Sequence, residues 1–219
     1  MIIRKILRRL FHQVRYKTDK ISNGLMDEYE RVFGQLLQQP ITLLEIGIFQ
    51  GGSLHYWDKL FTHPETKIIG LDRNIPDLAF SNRVIMYECD QNDTTRLLAI
   101  AKEHGPFNIV IDDGAHLLKE TRNCFDALFA HVRPGGYYAI EDWGVGYWSE
   151  QLPEYAGMVE MITEIMENLR PLGIGALQVL ADDRCVALFQ KETGRFEDQP
   201  APMGILEITE YYQEQLRRL

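Results

Sequence analysis

From residue 40 the chain changes rhythm. Short apolar runs rich in β-branched residues alternate with longer stretches of helical period. The runs Leu43–Phe49, Lys67–Asp72, Val84–Asp90, Phe107–Asp112 and Tyr137–Glu141 read as strands. The clearest helix is Lys119–Val132, with Phe125, Leu128, Phe129 and Val132 on one face. Pro134-Gly135-Gly136 is expected to break the chain before the next strand. Nearly continuous apolar strands separated by helices predict βαβ units and a parallel sheet covered on both faces. A further helix is expected over 154–169. Ala176–Leu180 and Cys185–Gln190 then flank the polar turn Ala181–Arg184, a hairpin that would end the sheet with an antiparallel strand. Both termini are amphipathic. Ile3, Ile6, Leu7, Leu10, Phe11 and Val14 follow helical spacing, and so do Ile205, Ile208, Tyr212, Leu216 and Leu219. The expected organisation is a lead-in at 1–39, one α/β domain at 40–192 and a tail with a helix at 193–219.

Composition narrows the class. A chain of 219 residues with 45 % hydrophobic and 25 % charged residues is neither disordered nor a disulfide miniprotein. It has no apolar run long enough to span a membrane. Cys89, Cys124 and Cys185 lie far apart, which argues against a zinc site or a disulfide framework and for a reducing cytoplasm. Net charge is -9, yet residues 1–20 hold seven basic side chains and only Asp19 as an acid. An acidic body argues against nucleic acid as a partner. The basic first 18 residues are expected to dock on the domain or a second copy, in a homo-oligomer, or to make a peripheral contact with anionic lipid.

The first strand runs through Glu45 into Gly47, Gly51, Gly52 and Ser53. A strand, a glycine turn and a helix in that order place backbone N–H groups where open α/β sheets bind ligands. If Gly47 and Gly52 are the outer glycines of a dinucleotide fingerprint, Phe49 takes the middle place, which disfavours NAD. Asp72 ends the second strand, where an acid accepts from ribose hydroxyls. Asp90 and Gln91 end the third, within reach of a base edge. The ordered set predicts a nucleoside site.

The fourth strand ends in Asp112-Asp113-Gly114-Ala115-His116 and the fifth in Glu141-Asp142-Trp143. Carboxylates from two neighbouring strand ends repel unless protonated or neutralised by a cation. Oxygen donors without a soft partner favour Mg²⁺ or Mn²⁺. His116 lies within one turn of Asp113, where a neutral imidazole can take a proton from a hydroxyl.

These residues resemble a known family. EIGIFQGGS, LD at Asp72, CDQ at Asp90 and IDDGAH followed by PGGYYAIED are similar to class I S-adenosylmethionine-dependent methyltransferases. The resemblance is closest to the metal-dependent macrolide-sugar O-methyltransferases (mycinamicin and macrocin type) and the related cephalosporin hydroxylase-like proteins. YKTDK at Tyr16–Lys20 resembles an element that precedes the domain there. The resemblance implies a Rossmann-like, doubly wound, seven-stranded sheet with the last strand antiparallel. It implies Glu45, Gly47, Gly51 and Ser53 around the methionine part of S-adenosylmethionine, Asp72 on its ribose and Asp90-Gln91 near adenine. It implies a metal on Asp113, Glu141 and Asp142, with Asp112 facing the cofactor and His116 as general base. O-methylation of a sugar or other polyol is the expected activity, with Tyr137, Trp143, Tyr147 and Trp148 as walls of an acceptor pocket and 143–153 as a lid. An NAD-dependent oxidoreductase and a non-catalytic nucleoside-binding protein stay open as alternatives.

Overall fold

A computed structural model describes residues 16–145, 157–182 and 185–193. A lead-in comes first: a turn of 3-10 helix at Asp19–Ile21, helix α1 at Leu25–Val32 and a second 3-10 turn at Gly34–Leu36. Then follow β1 (Thr42–Ile46), α2 (Gly52–Leu60), β2 (Lys67–Asp72), β3 (Val84–Glu88), α3 (Thr94–His104), β4 (Phe107–Asp112), α4 (Leu118–Leu128), β5 (Val132–Glu141), α5 (Met158–Glu167), β6 (Ile174–Leu180) and β7 (Val186–Lys191). The seven strands pair in the order β3-β2-β1-β4-β5-β7-β6. The pairs among β1 to β5 are parallel, and β7 runs antiparallel between β5 and β6. The doubly wound sheet with an antiparallel last strand is the one the hydrophobic rhythm and the resemblance predict.

Every residue of β4 is buried, as a central strand covered on both faces requires. Its side chains alternate between two cores. Val110 packs with Leu97 and Ile100 of α3, Phe125 and Leu128 of α4, and Met161 and Ile165 of α5. Ile109 and Ile111 face the other way, onto Trp57 of α2 and onto Leu25 and Tyr29 of α1. The lead-in therefore packs on the sheet. Phe33, just past α1, stacks on Tyr29 with ring centroids 5.1 Å apart.

Several boundaries differ from the sequence reading, each for a local reason. β1 stops at Ile46, because Gly47 takes φ +82° and leaves the ladder. The helix expected to reach Val132 ends at Leu128, and a 3-10 turn at Phe129–His131 leads straight into β5. Arg133 precedes a proline and so is barred from helical geometry. Pro134-Gly135-Gly136 does not separate helix from strand but lies inside β5. Phe107 pairs with Val132 and Ile109 with Tyr137, so the extra residues form a bulge. α5 begins at Met158, inside the range expected for its helix. The two amphipathic termini, Tyr147, Trp148 and most of the expected lid lie outside the described residues. Among the described residues, no helix is long and apolar enough to cross a membrane.

Candidate active site

The carboxyl ends of the parallel strands open on a cavity of about 730 Å³. Its walls include Gly47, Asp72, Asp90, Gln91, Asp113, His116, Glu141 and Asp142. The glycine turn makes this convergence feasible. A Cβ on Gly47 would lie 1.9 Å from the Asp113 carbonyl oxygen, so only glycine lets the tails of β1 and β4 approach this closely. Asp72 holds the turn in place: its Oδ2 accepts from the backbone N–H groups of Ile48 (3.0 Å) and Phe49 (2.9 Å), and its Oδ1 from Asn74 (3.0 Å). Phe49 itself has φ +44° and is 76 % exposed at the cavity mouth.

Gln91 fastens β3 to β4. Its Nε2 donates to Asp112 Oδ1 at 3.0 Å, and its Oε1 accepts from the Ala115 N–H at 2.7 Å. Asp90 is exposed and accepts from the Asn92 N–H at 2.8 Å, a bond that draws its carboxyl below the usual range. Asp112 is buried, and its Oδ2 has no hydrogen-bond partner among the described residues. Burial pushes its carboxyl up to about 8.

The acids divide into two groups. Asp113, His116 and Asp142 face the cavity, with one donor atom of each lying within 4.8 Å of the others. His116 Nε2 stands 3.8 Å from Asp113 Oδ1 and 3.7 Å from Asp142 Oδ2. Both His116 (φ +56°) and Asp142 (φ +52°) hold left-handed backbones, and the Asp142 N–H donates to the Cys185 carbonyl at 2.7 Å. Strained backbone of this kind persists where the surroundings fix it, often at functional sites. Burial raises the Asp142 carboxyl above its usual range.

Behind this group lies a dry one. Lys20 is 3 % exposed, and its Nζ donates to Asp113 Oδ2 and, at 2.6 Å, to Glu141 Oε2, with Glu45 Oε1 at 3.8 Å. The Tyr29 hydroxyl donates to Glu141 Oε1 at 2.9 Å. Glu45 Oε2 accepts from Ser53 Oγ at 2.7 Å and from Trp57 Nε1 at 3.1 Å. Burial alone would lower the Lys20 ammonium, but the carboxylates of Asp113, Glu141 and Glu45 outweigh it and hold it raised. Burial pushes Glu45 up to about 7 and Glu141 well above the carboxylate range.

Of the residues expected to bind a cofactor, the structure brings Gly47, Asp72, Asp90 and Gln91 to the cavity wall. Glu45 and Ser53 lie beneath it, bonded to each other, and Gly51 immediately precedes α2, packed near Phe80. Of the expected metal ligands, Asp113 and Asp142 converge with His116, whereas the oxygens of Glu141 hold Lys20 and Tyr29. Two of the expected acceptor walls pack elsewhere. Tyr137 accepts from Gln190 at 3.1 Å in a second cavity between α1 and the β7 side of the sheet. Trp143 is 7 % exposed and donates to the Leu180 carbonyl at 3.2 Å. Lys20 and Tyr29 were missed. Lys20 reads as one more basic residue of a basic terminus, and its only signal was its place in the YKTDK element.

The donor set fits a hard divalent ion with oxygen ligands and one imidazole. The cavity, glycine turn and strand-end acids fit a nucleoside cofactor.

No protein-family model matches the chain. It is 39 % identical to the mycinamicin VI 2''-O-methyltransferase of Micromonospora griseorubida over 155 residues, which cover 67 % of this chain and 37 % of that protein. It is 43 % identical to the demethylmacrocin O-methyltransferase of Streptomyces fradiae over 127 residues, covering 55 % of this chain and 32 % of that one. The chain thus spans about a third of the length of these curated relatives. Among solved structures, the MycE methyltransferase of the mycinamycin biosynthetic pathway, in complex with Mg and SAH, superposes with a TM-score of 0.73 at 32 % identity, covering 88 % of this chain and 56 % of that one. Over the part they share, the chain is a homologue of the macrolide-sugar O-methyltransferases and carries the fold of the class I S-adenosylmethionine-dependent methyltransferases.

Proposed function

We propose that the protein is an S-adenosylmethionine- and Mg²⁺-dependent O-methyltransferase acting on a hydroxyl of a sugar, glycoside or related small molecule. The observation that carries this reading is the placement of His116 beside two cavity-facing carboxylates, at the strand ends where the glycine turn and Asp72 offer a nucleoside site. The sequence and structural relatives named above support the same chemistry.

When bound, S-adenosylmethionine supplies an electrophilic methyl group and Mg²⁺ a charge that acidifies a coordinated hydroxyl. The chain's own residues do the rest. Gly47 and the Ile48 and Phe49 backbone, fixed by Asp72, shape the cofactor's seat. Asp113 and Asp142 would hold the ion, with Glu141 close behind them. His116 Nε2 would receive the acceptor's proton, while the walls of the cavity hold acceptor oxygen and methyl carbon in line. The acceptor stands as a sugar by chemistry alone: neighbouring hydroxyls suit a two-point grip on a hard ion.

Three buried, unpaired cysteines support a reducing cytoplasmic setting. Residues 1–18 would contact anionic lipid or a second copy of the chain; unchanged liposome co-sedimentation after their deletion would end the lipid reading.

Isothermal titration with S-adenosylhomocysteine and with NAD, each with and without Mg²⁺, tests the cofactor reading. S-adenosylhomocysteine is expected to bind and NAD to give no heat. Tight NAD binding without S-adenosylhomocysteine binding would overturn the assignment.

A further inference from the structure

The acid cluster already contains a cation. Lys20 belongs to the lead-in, outside the βα repeat, yet its ammonium touches carboxylates from three strands: Glu45 of β1, Asp113 just past β4, and Glu141 of β5. It is held there firmly. The chain just before it runs over the first turn of α2, where a Cβ on Gly52 would lie 1.9 Å from the Tyr16 carbonyl oxygen. Ile21 and Leu25, just after it, are buried in the core that α1 shares with the sheet. Tyr29, one turn into α1, takes the other oxygen of Glu141. Asp113 is the hinge of the arrangement. One of its oxygens meets Lys20, and the other stands 3.8 Å from His116 Nε2 on the cavity side.

We propose that Lys20 is a resident counter-cation: its ammonium keeps Glu45, Asp113 and Glu141 assembled when no divalent ion is present. Three carboxylates this close repel one another, and removal of the only ammonium among the described residues that touches all three leaves that repulsion uncompensated in a dry site. A divalent ion arriving at Asp113 and Asp142 therefore meets a cluster already partly neutralised. It binds less tightly than it would to the bare acids, and a site set this way favours exchange over permanent occupancy. The second half of the inference rests on the metal reading above; the first half does not.

The test uses the full chain freed of metal by chelation, and reads two quantities: melting temperature without metal, and Mn²⁺ affinity by calorimetry or by the loss of its electron-spin-resonance signal. Lys20→Met is expected to lower the metal-free melting temperature by about 10 °C. It is also expected to tighten Mn²⁺ binding about tenfold, since one nearby positive charge is gone. Lys20→Arg, which keeps the charge, should hold Mn²⁺ affinity near wild type. Lys20→Met combined with Glu141→Gln, which removes the ammonium together with one of the acids it holds, should recover at least about half of the lost melting temperature. A side chain that only fills space would give no such recovery. If Lys20→Met does not fold alone, folding of the double variant supports the proposal, and failure of both overturns it. A metal-free melting temperature within about 2 °C of wild type also overturns it, as does unchanged or weakened Mn²⁺ binding in Lys20→Met. A wild-type protein that binds no Mn²⁺ at all would instead sink the metal reading, and the metal-free melts would still decide the counter-cation role.

Discussion

Glu141 and Asp142 are neighbours in the chain and sit in opposite electrostatic surroundings. Glu141 closes β5, points into the dry layer beneath the sheet edge, and spends both oxygens on Lys20 and Tyr29. Asp142 turns through a left-handed backbone into the cavity, where its carboxylate stands near His116. β5 ends at Glu141, and the left-handed backbone of Asp142 takes the next side chain out of the strand's alternation, so two adjacent acids meet different surroundings at one end of the sheet. A buried, paired carboxylate is mainly a matter of stability, because removing it strands its partner's charge. A half-exposed carboxylate with an unfilled side is available for chemistry.

That contrast can be broken by mutation. The largest effect is expected on the open side. His116→Ala should slow methyl transfer to an accepted glycoside by about 10²- to 10⁴-fold, while S-adenosylhomocysteine affinity stays within about twofold. A large loss of affinity would move His116 from chemistry to structure. The next test sets the neighbours against each other. Glu141→Leu should cost about 3 kcal/mol of stability in chemical denaturation, whereas Asp142→Asn should cost under about 1 kcal/mol and weaken Mn²⁺ binding by at least about tenfold. The reverse pattern would erase the distinction drawn between the two acids.

Asp112 sharpens the contrast through pH. Its carboxyl is held near 8 in the folded protein, above the ordinary 3.8. The folded state therefore keeps a proton that the unfolded chain gives up, and stability falls as pH rises from about 4 to about 8. Asp112→Asn has no such proton to lose. Its melting temperature should vary less between pH 5 and 9, and exceed wild type at the alkaline end; parallel curves would show that Asp112 does not titrate in this range. The smallest effect is expected at Phe49, whose side chain is exposed and whose φ is +44°. Phe49→Gly should raise stability by about 1 kcal/mol, by relieving that backbone, as read from thermal melts. A loss instead would mean that the ring packs on the cavity rim.

Much of the fold was legible because its signals are local. Lys67–Asp72 and Phe107–Asp112 are strands over their whole predicted length. Their runs are mostly β-branched and apolar, with Asn108 the one polar residue inside them, and an acid marks each carboxyl end. The glycine turn after Glu45 was legible for the same reason. Pro134-Gly135-Gly136 misled because a proline and two glycines signal a break equally well between elements and inside a bulged strand. Lys20 was illegible in another way. Nothing in residues 16–20 reveals that the ammonium will meet carboxylates more than twenty, ninety and a hundred positions away, since only the fold of α1 on the sheet brings them together. Glu141 and Asp142 were both readable as acids at a strand end, but their division between a buried cation and an open cavity was not.

The sequence by itself determined the succession of strands and helices, the glycine turn and the acids that end the strands, because each rests on side-chain period, backbone freedom or residue type within a few positions. The tertiary structure alone decided which acids face one another, which of them Lys20 neutralises, and which remain open to a ligand. Those outcomes depend on distances between segments remote in the chain, and on the low dielectric of a core that exists only once the lead-in has packed against the sheet.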